Sequence, residues 1–162
     1  MKASCLDITT TDNNLKKFVA DTVSTYPDLD TIILASGIQH VFDFTKPGDI
    51  DFSKFQDEIN TNYISIFKLI VMFLPHFLQL NDMGRPTFII PITSTLSIVP
   101  SAMVPDYSAT KAALHSLSIT LRLQMAKTRI HIMEILPPLV ESELHDRKYH
   151  IQYLAVCSSG VL

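Results

Sequence analysis

Residues 105–116 read PDYSATKAALHS, and the interpretation of the whole chain starts from this stretch. Tyr107 and Lys111 are four residues apart in a small, alanine-rich segment that predicts a helix, so both side chains leave one helix face a turn apart. A lysine ammonium beside a phenol favours the phenolate and moves the phenol's pKa toward neutrality. Such a pair is suited to moving a proton to or from an alcohol oxygen. The alternative is two polar residues that share an exposed helix face, because chance alone produces this spacing in many chains.

The composition indicates one folded, globular domain. The chain has 162 residues, of which 47% are hydrophobic and 18% charged. The net charge of -3 and the scattered basic residues give no patch that would bind nucleic acid. Cys5 and Cys157 stand at opposite ends without neighbouring ligands, and the six histidines are dispersed. We therefore expect reduced or buried thiols, no metal site and a cytoplasmic location.

No segment of the sequence predicts a membrane anchor. The N-terminal residues lack an apolar stretch of signal-peptide length. The most apolar segment, SIFKLIVMFLPHFLQL at 65–80, is interrupted by Lys68, Pro75 and His76. It therefore falls short of a predicted membrane span.

Helical and strand-like segments alternate along the chain. Apolar residues at helical spacing predict helices near residues 9–23, 51–80 and 106–128. Short β-branched runs predict buried strands near residues 30–36, 86–94 and 129–138. This alternation is typical of an α/β fold with parallel strands and flanking helices.

Polar residues follow the predicted strands. Ser94 lies at the carboxyl end of the second strand, thirteen residues before Tyr107, and Ser142 lies just beyond the third strand. Ligand and catalytic groups of open α/β sheets collect at the carboxyl ends of strands, so Ser94 is a candidate to bind a substrate oxygen. A simpler role for Ser94 is that of a strand-end cap. Asn62 lies in the long helix, thirteen residues ahead of Pro75.

Together these features resemble the short-chain dehydrogenase/reductase family. The resemblance is carried by ITSTLSIVPSAMVPDYSATKAALHS at 92–116, supported by LDIT at 6–9, LASGIQ at 34–39 and ILPPLVES at 135–142. Within the family, the longer frame is most similar to the DltE-like branch. The resemblance implies a Rossmann-like parallel sheet. It also implies hydride transfer between NAD or NADP and a small-molecule carbonyl or alcohol, with the cofactor supplying the redox chemistry.

The resemblance also implies roles for individual residues. Tyr107 would be the acid/base, and Lys111 would lower its pKa and hold the nicotinamide ribose. Ser94 would bind the substrate oxygen, and Asn62 would hold a water of the proton relay, with Asn60 as the rival for that role. The residues that the resemblance places at the cofactor are Asp7, Ala35, Ser36, Gly37, Tyr107, Lys111, Pro137 and Ser142.

The sequence departs from the family where the cofactor phosphates would bind. The family's glycine-rich TGxxxGxG turn is not found among the four glycines, which are Gly37, Gly48, Gly84 and Gly160. LDIT matches the end of the family's third strand, so we expect the first two βα units and the last strand to be missing. In the family's sheet order, 3-2-1-4-5-6-7, this would leave the strand near 30–36 with an exposed edge. We therefore expect a partial NAD(P)-binding domain over residues 1–150 and a poorly ordered tail over 151–162.

Two functional hypotheses follow from these observations. The first is an NAD(P)-dependent oxidoreductase with its catalytic residues intact. The second is a non-catalytic fragment or pseudoenzyme that associates through its helices, since the family forms homodimers or homotetramers through the helices around Asn62 and Tyr107. Apolar stripes on these helices would suit such association, although packing against the sheet is the favoured explanation for them: Phe67, Ile70, Val71, Leu74, Leu117 and Leu121.

Overall fold

The computed structural model describes residues 6–138 and the backbone of residues 154–158. Its helices and strands alternate in the predicted order, and the α/β fold is confirmed. The elements are α1 (Asp12–Thr25), β1 (Leu29–Leu34), α2 (Phe52–Ile59), α3 (Ser65–Asp82), β2 (Thr87–Pro91), α4 (Pro105–Gln124), β3 (Ile130–Ile132) and β4 (Leu154–Ser158).

The strands form one sheet in the order β3-β2-β1-β4. The strands β1, β2 and β3 are parallel, with Ile32 beside Ile89 and Ile89 beside Ile132. They form the predicted Rossmann-like sheet, in a partial version of the family fold. The fourth strand, β4, runs antiparallel along the free side of β1.

Two expectations about the ends of the chain are wrong. The LDIT segment forms a turn instead of a strand, and it contributes the buried Ile8 to the core. The expected exposed edge of β1 is instead paired, because Leu154–Ser158 form β4 along it. The physical reason is that the backbone groups of an edge strand remain unpaired until another segment adds to the ladder. The rest of the predicted tail lies outside the described residues.

The helices pack on one face of the sheet. The side chains of Ile32, Leu34 and Ile89 on that face are buried, whereas Ile33 and Ile90 on the opposite face are only partly buried. The central helix α3 contacts β1, β2 and β3, and α1 packs against α3. The core therefore lies between the sheet and this helical layer.

Pro91 fits the central strand because it is the last residue of β2. Its missing N–H would break a ladder in mid-strand. Here its carbonyl accepts a hydrogen bond from Ile135 N at 3.1 Å, and the ladder resumes with Ile92 N donating to Leu34 O at 3.0 Å. The strand therefore delivers Ser94 to the carboxyl edge of the sheet in spite of the proline.

The predicted long helix is one continuous helical segment with a local widening. A π turn over Asn60–Ile64 joins α2 to α3. Within the described residues, the 31-residue stretch Phe52–Asp82 is long and apolar enough to cross a membrane by length and composition. It is also the central helix of the core, with Phe73 and Phe77 fully buried, and core helices pass the same test.

Candidate active site

Tyr107 and Lys111 lie on the buried face of α4. Their exposed fractions are 6% and 3%, so the alternative of two residues on an exposed helix face is wrong. The Lys111 Nζ atom lies 5.5 Å from the centroid of the Tyr107 ring. It donates a hydrogen bond to the carbonyl of Ile92 at 2.9 Å, at the end of β2. The helix thus presents a phenol and an ammonium together at the carboxyl edge of the sheet.

Burial dominates the proton affinities of this pair. It lowers the pKa of Lys111 to about 8, because an ammonium in an apolar environment loses hydration. Burial also raises the pKa of Tyr107, while the Ser94 hydroxyl lowers it and the Glu58 carboxyl raises it. The expected lowering of the phenol's pKa by Lys111 therefore does not outweigh burial in this arrangement. The reason is that the ammonium hydrogen-bonds the Ile92 carbonyl and the phenol is buried.

Ser94 has the capping role that its position suggested, and its hydroxyl also lies beside Tyr107. It caps the short 3₁₀ turn Thr95–Ser97, where its Oγ accepts a hydrogen bond from Leu96 N at 3.1 Å. The same hydroxyl is close enough to the Tyr107 phenol to lower the pKa of that group. The strand-end cap therefore also sets the hydroxyl beside the phenol.

Asn62 connects three parts of the site. Its side chain is fully buried, in the π turn between α2 and α3. Its Oδ1 accepts a hydrogen bond from Ile38 N at 2.8 Å, and its Nδ2 donates to Ile38 O at 2.9 Å and to Thr110 Oγ1 at 3.1 Å. Single π turns are frequent at functional sites. Asn60 instead accepts a hydrogen bond from Gln56 Nε2 at 3.3 Å, along its own helix.

The loop after β1 packs against Lys111 and Asn62. Ser36 and Gly37 are buried there. A Cβ atom at Gly37 would lie 3.4 Å from Lys111 Nζ and 3.6 Å from Asn62 Oδ1. The missing side chain thus leaves the room around the Lys111 ammonium that a bound group would need.

The other predicted residues are less tightly joined to this centre. Ala35 directly precedes Ser36, and the Pro137 carbonyl accepts a hydrogen bond from Thr95 N at 3.1 Å, next to Ser94. Asp7 lies in the turn before α1, where its Oδ1 accepts hydrogen bonds from Thr9. Ser142 lies outside the described residues. Within the described part of the chain, no group of three or more His, Cys, Asp or Glu side chains could hold a metal ion.

The sequence did not single out three polar residues that surround Tyr107. Glu58 is fully buried on α2, Asp106 directly precedes Tyr107, and His40 contacts Glu58 from the loop after β1. Thr110, the partner of Asn62, was missed as well. A signal for Glu58 was available, since it stands four residues before Asn62 and so projects from the same side of the helix.

The residues of the site fit one end of a dinucleotide better than the other. The glycine at position 37, the buried Lys111 ammonium and the Tyr107 phenol suit a ribose and its nicotinamide. Among the described residues no strand-to-helix turn is rich in glycine, and β4 occupies the side of β1 where the family's first strand would pair. The pyrophosphate end is therefore not provided by the described part of this chain.

Sequence comparison agrees with this geometry. The short chain dehydrogenase family matches residues 1–151, and the chain belongs to that family.

Individual relatives match only in part. The chain is 37% identical over 122 residues to an uncharacterized oxidoreductase, DltE, from Bacillus subtilis, which covers 75% of this chain and 46% of that protein. It superposes on an alcohol dehydrogenase from Thermococcus sibiricus complexed with 5-hydroxy-NADP, with a TM-score of 0.72 and 18% identity, covering 85% of this chain and 54% of the other. It also superposes on a 3-ketoacyl-(acyl-carrier-protein) reductase from Brucella melitensis complexed with NADH, with a TM-score of 0.76 and 20% identity. That superposition covers 83% of this chain and 54% of the other. The chain thus spans about half the length of these proteins.

Proposed function

We propose that this chain carries the proton-transfer centre of a short-chain oxidoreductase that interconverts a carbonyl and an alcohol with NAD or NADP. The observation that supports this most strongly is the convergence of Tyr107, Lys111, Ser94 and Asn62 on one buried centre from three parts of the fold: α4, the end of β2 and the π turn. The cofactor would supply or accept the hydride when bound.

Tyr107 is the acid/base of the proposal. Its phenol gives a proton to the substrate oxygen during reduction and takes it back during oxidation. Ser94 holds that oxygen beside the phenol. The Lys111 ammonium binds the ribose and supplies the positive charge that favours the phenolate once a ligand draws it from the Ile92 carbonyl.

Asn62 holds the geometry of the relay. Its amide ties the loop that carries Gly37 to α4 through Ile38 and Thr110. A water in the relay would be held at this junction, as the family resemblance implies. Asn62 is preferred to Asn60 because only Asn62 bridges these elements.

The segment between Ser94 and Tyr107 carries exposed apolar side chains that favour an apolar substrate. Ile98, Val99 and Met103 lie between Ser94 and Tyr107 along the chain, and their exposed fractions are 58%, 70% and 64%. Exposed apolar residues on loops beside a polar centre are typical of a binding surface. The proposal is therefore a small-molecule carbonyl or alcohol with an apolar body, handled in the cytoplasm.

The competing function is a non-catalytic protein that associates through its helices. The predicted stripe divides in the structure: Ile70 and Leu121 are buried in the core, whereas Phe67 and Val71 have exposed fractions of 43% and 49%. Packing against the sheet thus accounts for part of the stripe. The exposed part, Phe67 and Val71, supports a homodimer contact, which would accompany either function.

Cofactor titration and turnover separate the two functions. NADPH and NADH are titrated into the full chain while nicotinamide fluorescence and thermal stabilisation are followed. Because no described residues form a phosphate cradle, we expect binding no tighter than about millimolar. Reduction of apolar ketones at high cofactor concentration that is lost in Tyr107→Phe would support the oxidoreductase. A complete lack of turnover at saturating cofactor would favour the non-catalytic protein.

A further inference from the structure

Glu58 is a fully buried carboxyl group that the proposed chemistry does not use. It lies near the end of α2, one helical turn before Asn62 in the π turn. Its Oε2 accepts a hydrogen bond from His40 N at 3.0 Å and lies 3.1 Å from His40 Nδ1. Its Oε1 is buried without a hydrogen-bond partner. Ionisation of a carboxyl group with one buried, unpaired oxygen costs free energy, and protonation of the group relieves this cost.

A second carboxyl group faces the same region from α4. Asp106 directly precedes Tyr107, and its Oδ2 is also buried without a hydrogen-bond partner. The helices α2 and α4 pack against each other. Burial raises the pKa of both groups, of the fully buried Glu58 and of the partly buried Asp106, and two neighbouring carboxyl groups do not both ionise easily. Asp106 lies in the first turn of α4, where the helix dipole favours a negative charge, so Glu58 is the group that keeps a proton.

The electrostatic environment agrees with this assignment. Burial, followed by the negative charge of Asp106, raises the pKa of Glu58 to about 8. The charged and titratable groups that face Glu58 are His40 from the loop after β1, and Asp106 and Tyr107 from α4. The coupling also reaches the phenol, since a charge on Glu58 raises the pKa of Tyr107.

We propose that Glu58 is a positioning residue that acts on the Tyr107 phenol through its charge. The group is neutral near pH 7, and its ionisation in the mildly alkaline range brings a negative charge toward the phenol and keeps the phenol protonated. The consequence for turnover rests on the proposed function of Tyr107. The coupling between the two groups exists with or without turnover.

The test follows Tyr107 directly in the full-length chain. Tyrosine labelled with ¹³C at Cζ reports each phenol by NMR during a pH titration, and Tyr107→Phe assigns the signal. In the unsubstituted protein we expect the Tyr107 signal to shift in a small step near pH 8, before the phenol itself titrates. In Glu58→Gln the step should shrink to the part contributed by the Lys111 ammonium, which lies 5.5 Å from the Tyr107 ring and also has a pKa of about 8. The pKa of the phenol should be lower than in the unsubstituted protein.

Two further variants make the test specific. Asp57→Asn removes an exposed carboxylate from the adjacent position on α2 and should keep both features of the unsubstituted protein. Asp106→Asn should move the step to lower pH, because the neighbouring negative charge is lost. If Glu58→Gln does not fold, the comparison of Asp106→Asn with the unsubstituted protein still tests the inference.

Two results would overturn the inference. One is a Tyr107 signal without a step near pH 8 in the unsubstituted protein, and the other is an unchanged step in Glu58→Gln. A chain that shows the expected step but reduces no ketone would contradict the proposed function and leave this coupling standing.

Discussion

Asn62 pairs with both backbone groups of Ile38, accepting a hydrogen bond from its N–H at 2.8 Å and donating one to its carbonyl at 2.9 Å. A side-chain amide therefore pairs with both backbone groups of a residue that lies just beyond β1. The two residues are 24 positions apart, and the bond is fully buried. The same amide donates to Thr110 Oγ1 and so links the loop that carries Gly37 to α4.

The first prediction concerns this amide. Asn62→Ala should lower the free energy of unfolding by about 2–4 kcal/mol, because it leaves the N–H and the carbonyl of Ile38 buried and unpaired. Urea denaturation measures the change. Asn60→Ala is the matched control on the same π turn and should stay within about 0.5 kcal/mol. Equal losses in the two variants would contradict the role of Asn62 as the connection between the loop and α4.

The second prediction concerns the room around the Lys111 ammonium. Gly37→Val should destabilise the fold by about 1–3 kcal/mol, because even a Cβ atom would lie 3.4 Å from Lys111 Nζ and the added methyl groups come closer. It should also weaken any nicotinamide binding, since it fills the ribose side of the site. Gly48→Val is the control, because no atom lies within 4 Å of a Cβ at that position. Thermal denaturation of both variants gives the comparison, and a neutral Gly37→Val would show that the loop relaxes away from Lys111.

The order of elements and the Tyr107–Lys111 pair could be predicted from the sequence, because both rest on local periodicity. Helical spacing at Leu15 and Val19, and the β-branched run at Ile32 and Ile33, determine the type of element with little help from tertiary contacts. The four-residue spacing of Tyr107 and Lys111 likewise needs only a helix. These features were confirmed.

The rest depends on contacts between residues that are distant in the sequence. The pairing of β4 with β1 joins segments about 120 residues apart, and no local pattern selects it over another edge. The pKa of Tyr107 depends on how deeply α4 is buried, which the spacing of its polar residues does not reveal. For the same reason Glu58 was not predicted as a site residue, because its protonation depends on Asp106 and His40, which lie on other elements.

The third prediction uses the pKa of Lys111 as a probe of its burial. The pKa falls from 10.5 to about 8 on folding, so between these values the unfolded chain binds more protons than the folded chain. The sign follows directly: the stability contributed by this group rises with pH through that window. The rise is at most about 3 kcal/mol over the full window.

Variants at two lysines isolate this contribution. Lys111→Met keeps the length of the side chain and has no charge, so its free energy of unfolding should lack the rise between pH 8 and 10. Lys127→Met, at an exposed position just beyond α4, should retain it. Chemical denaturation at several pH values measures the three curves. If the rise persisted in Lys111→Met, another group would be responsible for it.

The last prediction concerns the phenol oxygen itself. Tyr107→Phe should lower the rate of any ketone reduction by about 10²–10⁴-fold, which is the range that general acid/base groups contribute. The fold should remain intact. The ring stays in place, and only the hydroxyl beside Ser94 is lost. Steady-state rates at fixed high NADPH, together with the thermal midpoint, separate loss of chemistry from loss of structure. Tyr26→Phe, at a surface position with an exposed fraction of 36%, should keep the full rate. Turnover that survives in Tyr107→Phe would assign the proton transfer to another group, whereas parallel loss in both variants would point to damage of the fold.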